Sequence, residues 1–147
     1  MDESEVSEGG CACGAVRFVV VGKALRSGLC HCLTCQRAHG GPFFPFVVFC
    51  RDQVRLTGPL RTWHSTAAYS RCFCTACGSR VASLTNDAVE LCSTQFDRAG
   101  MFPPQYESWT IRRQPWLKPL AVVQYARDRE DGEVCAGGDA FGGDGRA

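Results

Sequence analysis

Seven of the eleven cysteines fall into three short clusters whose spacing suits metal ligation. The clusters are Cys11-Ala12-Cys13, Cys30-His31-Cys32-Leu33-Thr34-Cys35 and Cys74-Thr75-Ala76-Cys77. Clustered thiolates are the ligands that zinc and other soft metals prefer. An odd number of cysteines and an acidic N-terminus argue against a secreted, disulfide-bonded protein. The clusters therefore predict two zinc ions per chain.

The first and third clusters together supply four thiolates. A C-x-C pair in extended backbone projects both sulfurs to one face, which suits Cys11 and Cys13. A C-x-x-C-G segment is a tight turn in which the glycine adopts positive φ, which suits Cys74, Cys77 and Gly78. The two pairs predict a closed, structural zinc site that ties the N-terminal region to the middle of the chain.

The second cluster supplies three thiolates, from Cys30, Cys32 and Cys35. Zinc with three protein ligands keeps a fourth position for water or substrate, where it acts as a Lewis acid. We therefore predict that these three cysteines form the catalytic metal site. The alternative is a second structural zinc completed by Cys72 or by a histidine, for which three residues are eligible: His31, His39 and His64.

The other cysteines and the charged residues near the clusters carry weaker expectations. His31 lies between two predicted ligands, Cys30 and Cys32. In extended backbone its ring would point away from the metal, so a packing or hydrogen-bonding role is expected. Three cysteines lie in apolar runs and are expected to be buried hydrophobes: Cys50, Cys72 and Cys92. Cys135 is expected to be a free thiol. Arg37 and Arg71 flank the clusters and could meet an anionic ligand.

Short runs rich in β-branched and aromatic residues predict a mainly β fold. The predicted strands are residues 15–21, 43–50, 53–57, 60–64, 68–73, 80–84, 89–92 and 108–111. Pro45 suggests that the strand beginning at residue 43 lies at a sheet edge. One short helix is predicted over residues 34–39, stopped by Gly40.

The length of 147 residues predicts one domain, and charge segregates along it. Residues 1–8 carry four acidic side chains and residues 126–147 carry six against three arginines, giving −4 and −3. Residues 9–125 carry thirteen Lys or Arg against five Asp or Glu, giving +8, which favours an anionic ligand. We expect a disordered arm over 1–8, a domain over 9–125 and a disordered tail over 126–147.

The sequence offers no apolar run long enough to span a membrane, so no membrane partner is expected. Thiolate ligation suits a reducing compartment, which predicts a cytoplasmic location with the nucleus as an alternative. Nothing in the sequence indicates an oligomeric state.

The ordered motifs resemble those of a known family. They are Gly10-Cys11-Ala12-Cys13-Gly14, the stretch CHCLTCQRAHGGPF, Arg71-Cys72-Phe73-Cys74-Thr75-Ala76-Cys77-Gly78, and Pro115-Trp116-Leu117. Over about residues 9–120 the chain resembles the glutathione-dependent formaldehyde-activating enzyme family, also called the centromere protein V family. The resemblance implies a β-tent fold of mostly antiparallel strands. It also implies a structural zinc on Cys11, Cys13, Cys74 and Cys77 and a second zinc on Cys30, Cys32 and Cys35.

The activity implied by the resemblance is condensation of glutathione with formaldehyde, which in reverse is a carbon–sulfur lyase reaction. A glutathione-like thiol is then the expected small-molecule partner. The alternative is a non-catalytic zinc module that binds nucleic acid or an acidic partner, as the centromere-associated relatives suggest. Nucleic acid is the less favoured partner because the basic residues are scattered singly. The chain departs from the family over residues 90–97, where members often show a glycine followed by a Leu-Asp turn.

Overall fold

In a computed structural model of the protein, which describes residues 5–130 and 134–135, the strands form two sheets. The elements are β1 (Val6–Gly10), β2 (Arg17–Val21), β3 (Arg26–Cys30), α1 (Leu33–His39), β4 (Phe44–Cys50), β5 (Val54–Thr57), β6 (Leu60–Thr66), β7 (Tyr69–Cys74), β8 (Arg80–Leu84), β9 (Ala88–Cys92), β10 (Tyr106–Ser108) and β11 (Val123–Gln124). Short 3₁₀ turns cover Arg51–Gln53, Ser93–Gln95 and Thr110–Arg112. The expected single, mainly β domain is confirmed.

The small sheet is antiparallel and has the order β1-β2-β5. The large sheet has the order β11-β10-β3-β4-β9-β8-β7-β6. Its pairings are antiparallel except that β10 runs parallel to both β3 and β11. The last part of the domain thus returns to lie beside β3, the strand that carries Cys30.

Strand β4 lies at the centre of the large sheet and packs on both of its faces. Val47 and Phe49 belong to the inter-sheet core, which also contains Phe18 of β2. Phe44 and Phe46 belong to a second core on the opposite face, together with Cys30, Cys32, Cys35 and Tyr106. Because side chains alternate along a strand, a continuous apolar run is what burial on both faces requires.

The expectation that Pro45 marks a sheet edge is wrong, because β4 is flanked by β3 and β9. Pairing with β9 starts one residue later, where Phe46 faces Cys92. On the β9 side Pro45 therefore has no strand partner, and a residue without an N–H is tolerated where pairing is absent.

Most predicted elements are found, with shifts of one or two residues at their ends. The predicted helix is α1, and its C-cap Gly40 has φ 80°. The strand predicted over 108–111 is wrong, because β10 ends at Ser108 and Trp109 turns the chain with φ 56°. Three strands were not predicted: β1, β3 and β11. β3 contains Arg26 and Gly28, which have low strand propensity, so its strand conformation depends on pairing with the neighbouring strands.

The ordered region extends beyond both expected domain boundaries. Residues 6–8 belong to β1, where Ser7 pairs with Val20, so their expected disorder is wrong. At the other end the Trp109 N–H donates to the Arg127 carbonyl over 3.0 Å. Residues 1–4, 131–133 and 136–147 of the expected arm and tail lie outside the described residues. Within the described residues no helix is long and apolar enough to cross a membrane.

Candidate metal centres

The first candidate centre joins two turns that are far apart in sequence. The sulfurs of its four cysteines all lie within 4.8 Å of one another: Cys11, Cys13, Cys74 and Cys77. The Sγ atoms of Cys13 and Cys74 are 3.8 Å apart. The Ala12 N–H donates to Ser79 Oγ over 3.1 Å, which holds one turn against the other. Four converging thiols fit the donor set of a closed zinc site.

Backbone geometry explains how each turn presents its sulfurs. The Gly14 N–H donates to the Cys11 carbonyl over 3.1 Å, so the first pair lies in a turn, not in the extended backbone that was expected. Gly78 has φ 79°, as the C-x-x-C-G pattern predicted, and its N–H donates to the Cys74 carbonyl over 2.8 Å. The Val16 N–H also donates to Cys11 Sγ over 3.2 Å. Donors aimed at sulfur stabilise the thiolate that a metal needs.

Hydrogen bonds and neighbouring thiols shift the pKa values of Cys77 and Cys13 in opposite directions. Hydrogen bonds from the Ser79 side chain and backbone lower the pKa of Cys77 to about 5. For Cys13, the hydrogen bond from the Ala15 N–H is outweighed by the neighbouring thiols, which raise its pKa to about 11. Cys13 and Cys77 are exposed, whereas Cys11 and Cys74 are buried. One thiolate is therefore ready at neutral pH, at the protein surface.

The second candidate centre lies where β3 passes into α1. Cys30 ends β3, Cys32 is the N-cap of α1, and Cys35 is the buried residue of this helix. All three are 0% exposed, and their sulfurs lie within 4.8 Å of one another. The Cys35 N–H donates to Cys32 Sγ over 3.2 Å, so this sulfur also caps the helix.

Among the described residues, no histidine, aspartate, glutamate or other cysteine joins these three sulfurs within 4.8 Å. Of the eligible fourth ligands, Cys72 lies in the inter-sheet core and interacts with Thr62 Oγ1 at 3.7 Å. His64 is exposed on β6, and His39 lies near the end of α1. The arrangement of described residues is therefore the open, three-sulfur one.

His31 serves a hydrogen-bonding role, as expected. Its Nε2 atom lies 2.6 Å from Glu107 Oε1, and both side chains are 2% exposed or less. Burial lowers the pKa of His31 against the opposing effect of Glu107, so Nε2–H of a neutral ring is the donor. Glu107 Oε2 accepts from the Leu120 N–H over 2.8 Å and from Gln124 Nε2 over 2.7 Å. Although burial opposes it, these hydrogen bonds hold the pKa of Glu107 below its usual value.

The three-sulfur centre sits on a charged face of the large sheet. The register of the strands places four polar or charged side chains, each from a different strand, in one row across this face. They are Arg26, Glu90, Ser83 and Arg71. Arg71 is 1% exposed, and its Nη2 lies 3.9 Å from Cys35 Sγ. Hydrogen bonding from Cys30 lowers the pKa of Cys32, but Cys35 and burial prevail and raise it to about 12. Full ionisation of these three thiols therefore requires a bound cation.

A cavity of about 500 Å³ opens beside α1. It is lined by the end of the helix and the following loop, by the start of β8, and by the Cys92–Gln95 segment. Its wall includes His39, Arg80 and Gln95. Arg80 was missed in the sequence because only the fold brings it to α1. Residues 92–95 belong to the stretch in which the chain departs from the family.

The remaining cysteine and arginine predictions have mixed outcomes. Cys72 and Cys92 are buried, as expected. Cys50 and Cys135 instead form a disulfide with a Cα–Cα distance of 5.6 Å, so the free thiol predicted at Cys135 is wrong. The composition of the tail concealed this contact, because apolar packing of Cys135 in the second core places it beside Cys50. Arg37 is exposed, whereas Arg71 lies at the three-sulfur centre.

A family model described as glutathione-dependent formaldehyde-activating enzyme matches residues 6–112. The chain belongs to this family. A crystal structure of a Rhodobacter sphaeroides protein is similar, with a TM-score of 0.53 and 17% identity. The match covers 80% of this chain and 98% of that one, and at this identity it shows the fold alone. No curated protein matches the chain. Membership supports a glutathione-dependent, formaldehyde-activating or related function at the level of the family.

Proposed function

We propose that this family member is a zinc-dependent carbon–sulfur lyase. Its substrate would be the adduct of an aldehyde with glutathione or a related thiol, and its site would be Cys30, Cys32 and Cys35. The observation that carries the proposal is the three-sulfur cluster, which no fourth ligand among the described residues completes. A second zinc on Cys11, Cys13, Cys74 and Cys77 is proposed to be structural.

Zinc bound by three thiolates supplies a Lewis acid, which favours ionisation of a thiol or polarises an aldehyde oxygen. The donor set fits this group, since three buried sulfurs converge within 4.8 Å. The chain itself holds the cluster in place through the Cys32 cap on α1 and through the hydrogen bond from His31 to Glu107. The buried guanidinium of Arg71 offsets the negative charge of the thiolates.

The proposed reaction makes or breaks one carbon–sulfur bond. In the synthetic direction the thiol sulfur bonds to the aldehyde carbon, and the proton lost by the thiol ends on the aldehyde oxygen. In the lyase direction the hydroxyl proton leaves, the carbon–sulfur bond breaks, and thiol and aldehyde are released. No oxidant or reductant is consumed. The cavity next to α1 would accept the substrate.

The proposal is tested by following exchange among glutathione, formaldehyde and their adduct with two-dimensional NMR. The spontaneous rate must be subtracted, since thiols add to formaldehyde unaided. We expect the zinc-loaded protein to accelerate exchange and Cys32→Ser to return it to background. Cys72→Ser is the matched control, because it changes a buried thiol that belongs to neither centre, and it should keep the acceleration.

A background rate with the fully metallated protein would reject this chemistry. The competing proposal, a zinc-stabilised module that binds an acidic partner or nucleic acid, would then be preferred if salt-sensitive binding were found. The cytoplasmic location stays a prediction in either case.

A further inference from the structure

The cavity beside α1 contains a buried arginine with free hydrogen-bonding capacity. Arg80 is 4% exposed, and its Nε and Nη1 atoms have no hydrogen-bond partner among the described residues. Burying a guanidinium is unfavourable unless anions or acceptors satisfy it. An arginine in this state on a cavity wall is therefore poised for an anionic ligand.

Two contacts position the guanidinium, which also interacts with Cys35, while Nε and Nη1 keep no hydrogen-bond partner among the described residues. Its central carbon lies 3.7 Å from the centroid of the Phe44 ring, and Nη2 donates to Ser83 Oγ over 2.6 Å. An arginine side chain stays cationic at physiological pH. Preorganised donors lose little entropy when they bind a ligand.

Two other polar atoms on the same cavity wall also lack partners. They are His39 Nε2 and Gln95 Oε1, both buried atoms. Gln95 is fixed because its Nε2 donates to the Arg80 carbonyl over 2.9 Å. A cavity of about 500 Å³ with a few polar groups and aromatic walls has the size and character of a small-molecule site.

The charges of this face leave an excess of positive charge. Three arginines are buried on this face with one glutamate, Glu90, whereas the other buried glutamate, Glu107, is paired with Arg113 and His31. The three arginines are Arg26, Arg71 and Arg80. Glu90 already accepts from the Tyr69 hydroxyl over 2.5 Å. Positive charge remains in excess whether the three thiols are protonated or bound as thiolates to one divalent ion. An anion bound in the cavity would neutralise part of this excess positive charge.

The cavity and the three-sulfur centre lie against the same face of α1. Cys35 and His39 are four residues apart on α1 and so lie on one helix face. Cys35 belongs to the centre, and His39 belongs to the cavity wall. None of the three sulfurs lines the cavity, so a molecule seated there would bind Arg80 next to the three-sulfur centre, on the face of α1 that carries Cys35.

We infer that the cavity is a carboxylate-recognition site in which Arg80 binds a carboxylate of the thiol substrate, so that this protein selects anionic over neutral thiols. The inference deepens the proposed function and rests on it for the identity of the substrate. Gln95 Oε1 would accept a hydrogen bond from an amide or ammonium group of the same molecule.

The test uses two probes that have no thiol, so binding does not depend on any reaction. S-methylglutathione carries both carboxylates, and its dimethyl ester carries neither. Their dissociation constants for the zinc-loaded protein are measured by calorimetry. We expect the acid to bind about tenfold or more tightly than the diester, because charge-assisted hydrogen bonds from a buried arginine discriminate at that level. Equal affinities, or no binding of the acid, would overturn the inference.

Variants test which residue is responsible for the preference for the acid over the diester. Arg80→Gln should abolish the preference for the acid, and Arg80→Lys should keep part of it. Arg37→Gln is the matched control, because Arg37 lies on the same helix as Cys35 and His39 but is exposed and does not line the cavity. A preference that survives Arg80→Gln, or that is lost equally in Arg37→Gln, would refute the role of Arg80.

A measurement on the wild-type protein covers the case in which Arg80→Gln does not fold. The acid should shift the NMR signals of Arg80 Nε–H and of the Gln95 side-chain amide, and the diester should not. Shifts confined to other surfaces would reject the site. Binding of the acid at Arg80 without acceleration of the formaldehyde exchange would keep the carboxylate site and reject the proposed reaction, so the two failures are distinct.

Discussion

The two cysteine centres differ in where their sulfurs come from and in what surrounds them. The four-sulfur centre joins two surface turns, and two of its cysteines are exposed: Cys13 and Cys77. The three-sulfur centre uses one short stretch of chain, is fully buried, and has Arg71 beside it. A metal ion at the former would close a long loop, whereas a metal ion at the latter would meet buried charge. We therefore propose the former as a structural cross-link and the latter as the reaction site.

The largest effect is expected from breaking the cross-link. Cys74→Ser removes a proposed zinc ligand that would tie β7 to the turn after β1, so we expect cooperative folding to be lost. Structural zinc contributes roughly 10–16 kcal/mol in small zinc domains, which is as large as the total stability of about 5–15 kcal/mol of most domains. Thermal unfolding followed by circular dichroism, together with metal analysis, measures this. A folded Cys74→Ser protein with one metal ion would show that the centre is not structural.

The three-sulfur centre should behave in the opposite way. Cys32→Ser is expected to keep the fold and the metal ion of the other centre, lose one metal equivalent, and lose activity at least about 100-fold. Serine can replace Cys32 as the N-cap of α1, since its hydroxyl accepts from the Cys35 N–H. Cys32→Ala should therefore be less stable than Cys32→Ser by about 1 kcal/mol. Urea unfolding of the two variants separates capping from metal loss, and equal stabilities would contradict the capping role.

Glu107 tests the three-sulfur centre separately from the four-sulfur centre. It accepts a hydrogen bond from His31, which lies between Cys30 and Cys32. Glu107→Gln removes the charge that accepts from His31, Leu120 and Gln124, and should lower the free energy of unfolding by about 2 kcal/mol at pH 7. The pKa of Glu107 is lowered in the folded protein, so its contribution is present above the ordinary glutamate pKa of 4.5 and is lost as the pH falls below it.

The control for this prediction is Asp97→Asn, which makes the same change in an exposed ion pair with Arg17. It should move the urea midpoint much less, because surface pairs contribute little. If the difference between wild type and Glu107→Gln does not shrink as the pH falls below 4.5, the ionised carboxylate is not the source of the stability.

The smallest effect concerns the order in which the centres release metal on acidification. Protons compete with metal for thiolates, and each thiolate adds to the affinity of a centre for its metal. The four-sulfur centre has one more thiol than the three-sulfur centre, and the pKa of its Cys77 is lowered to about 5, although that of its Cys13 is raised to about 11. We expect the three-sulfur centre to empty first as the pH falls, as measured with a metallochromic dye, and Cys32→Ser to show only the later step.

Ser79→Ala tests the cause of the later step. Without the Ser79 hydroxyl the pKa of Cys77 should rise, and the step should move toward neutral pH. Thr75→Ala removes a hydroxyl from the same turn that bonds to the Pro59 carbonyl instead of to sulfur, and should leave the step in place. Movement in both variants would mean that the turn, and not the hydrogen bond to sulfur, sets the release pH.

Much of the fold could be read from the sequence where one local signal was enough. Gly40 and Gly78 both adopt the positive φ that their patterns predicted. The strand β4 was predicted from its apolar run, but its central position was not, because an apolar run does not say which strands flank it. β3 was missed because its pairing with β4 and β10 supplies the stabilisation that its residues lack.

The sequence by itself determined the three cysteine clusters, because the cysteines within a cluster are close along the chain and tight spacing converges their sulfurs. Tertiary structure alone brought the first and third clusters together, across 61 residues between Cys13 and Cys74, and decided the surroundings of both centres. His31 meets Glu107 across a sequence separation of 76 residues, and Cys50 meets Cys135 across 85. Arg80 reaches Phe44 and the cavity beside α1 in the same way. The physical reason is that strand register and packing, which depend on the whole core, set distances between segments that no local pattern encodes.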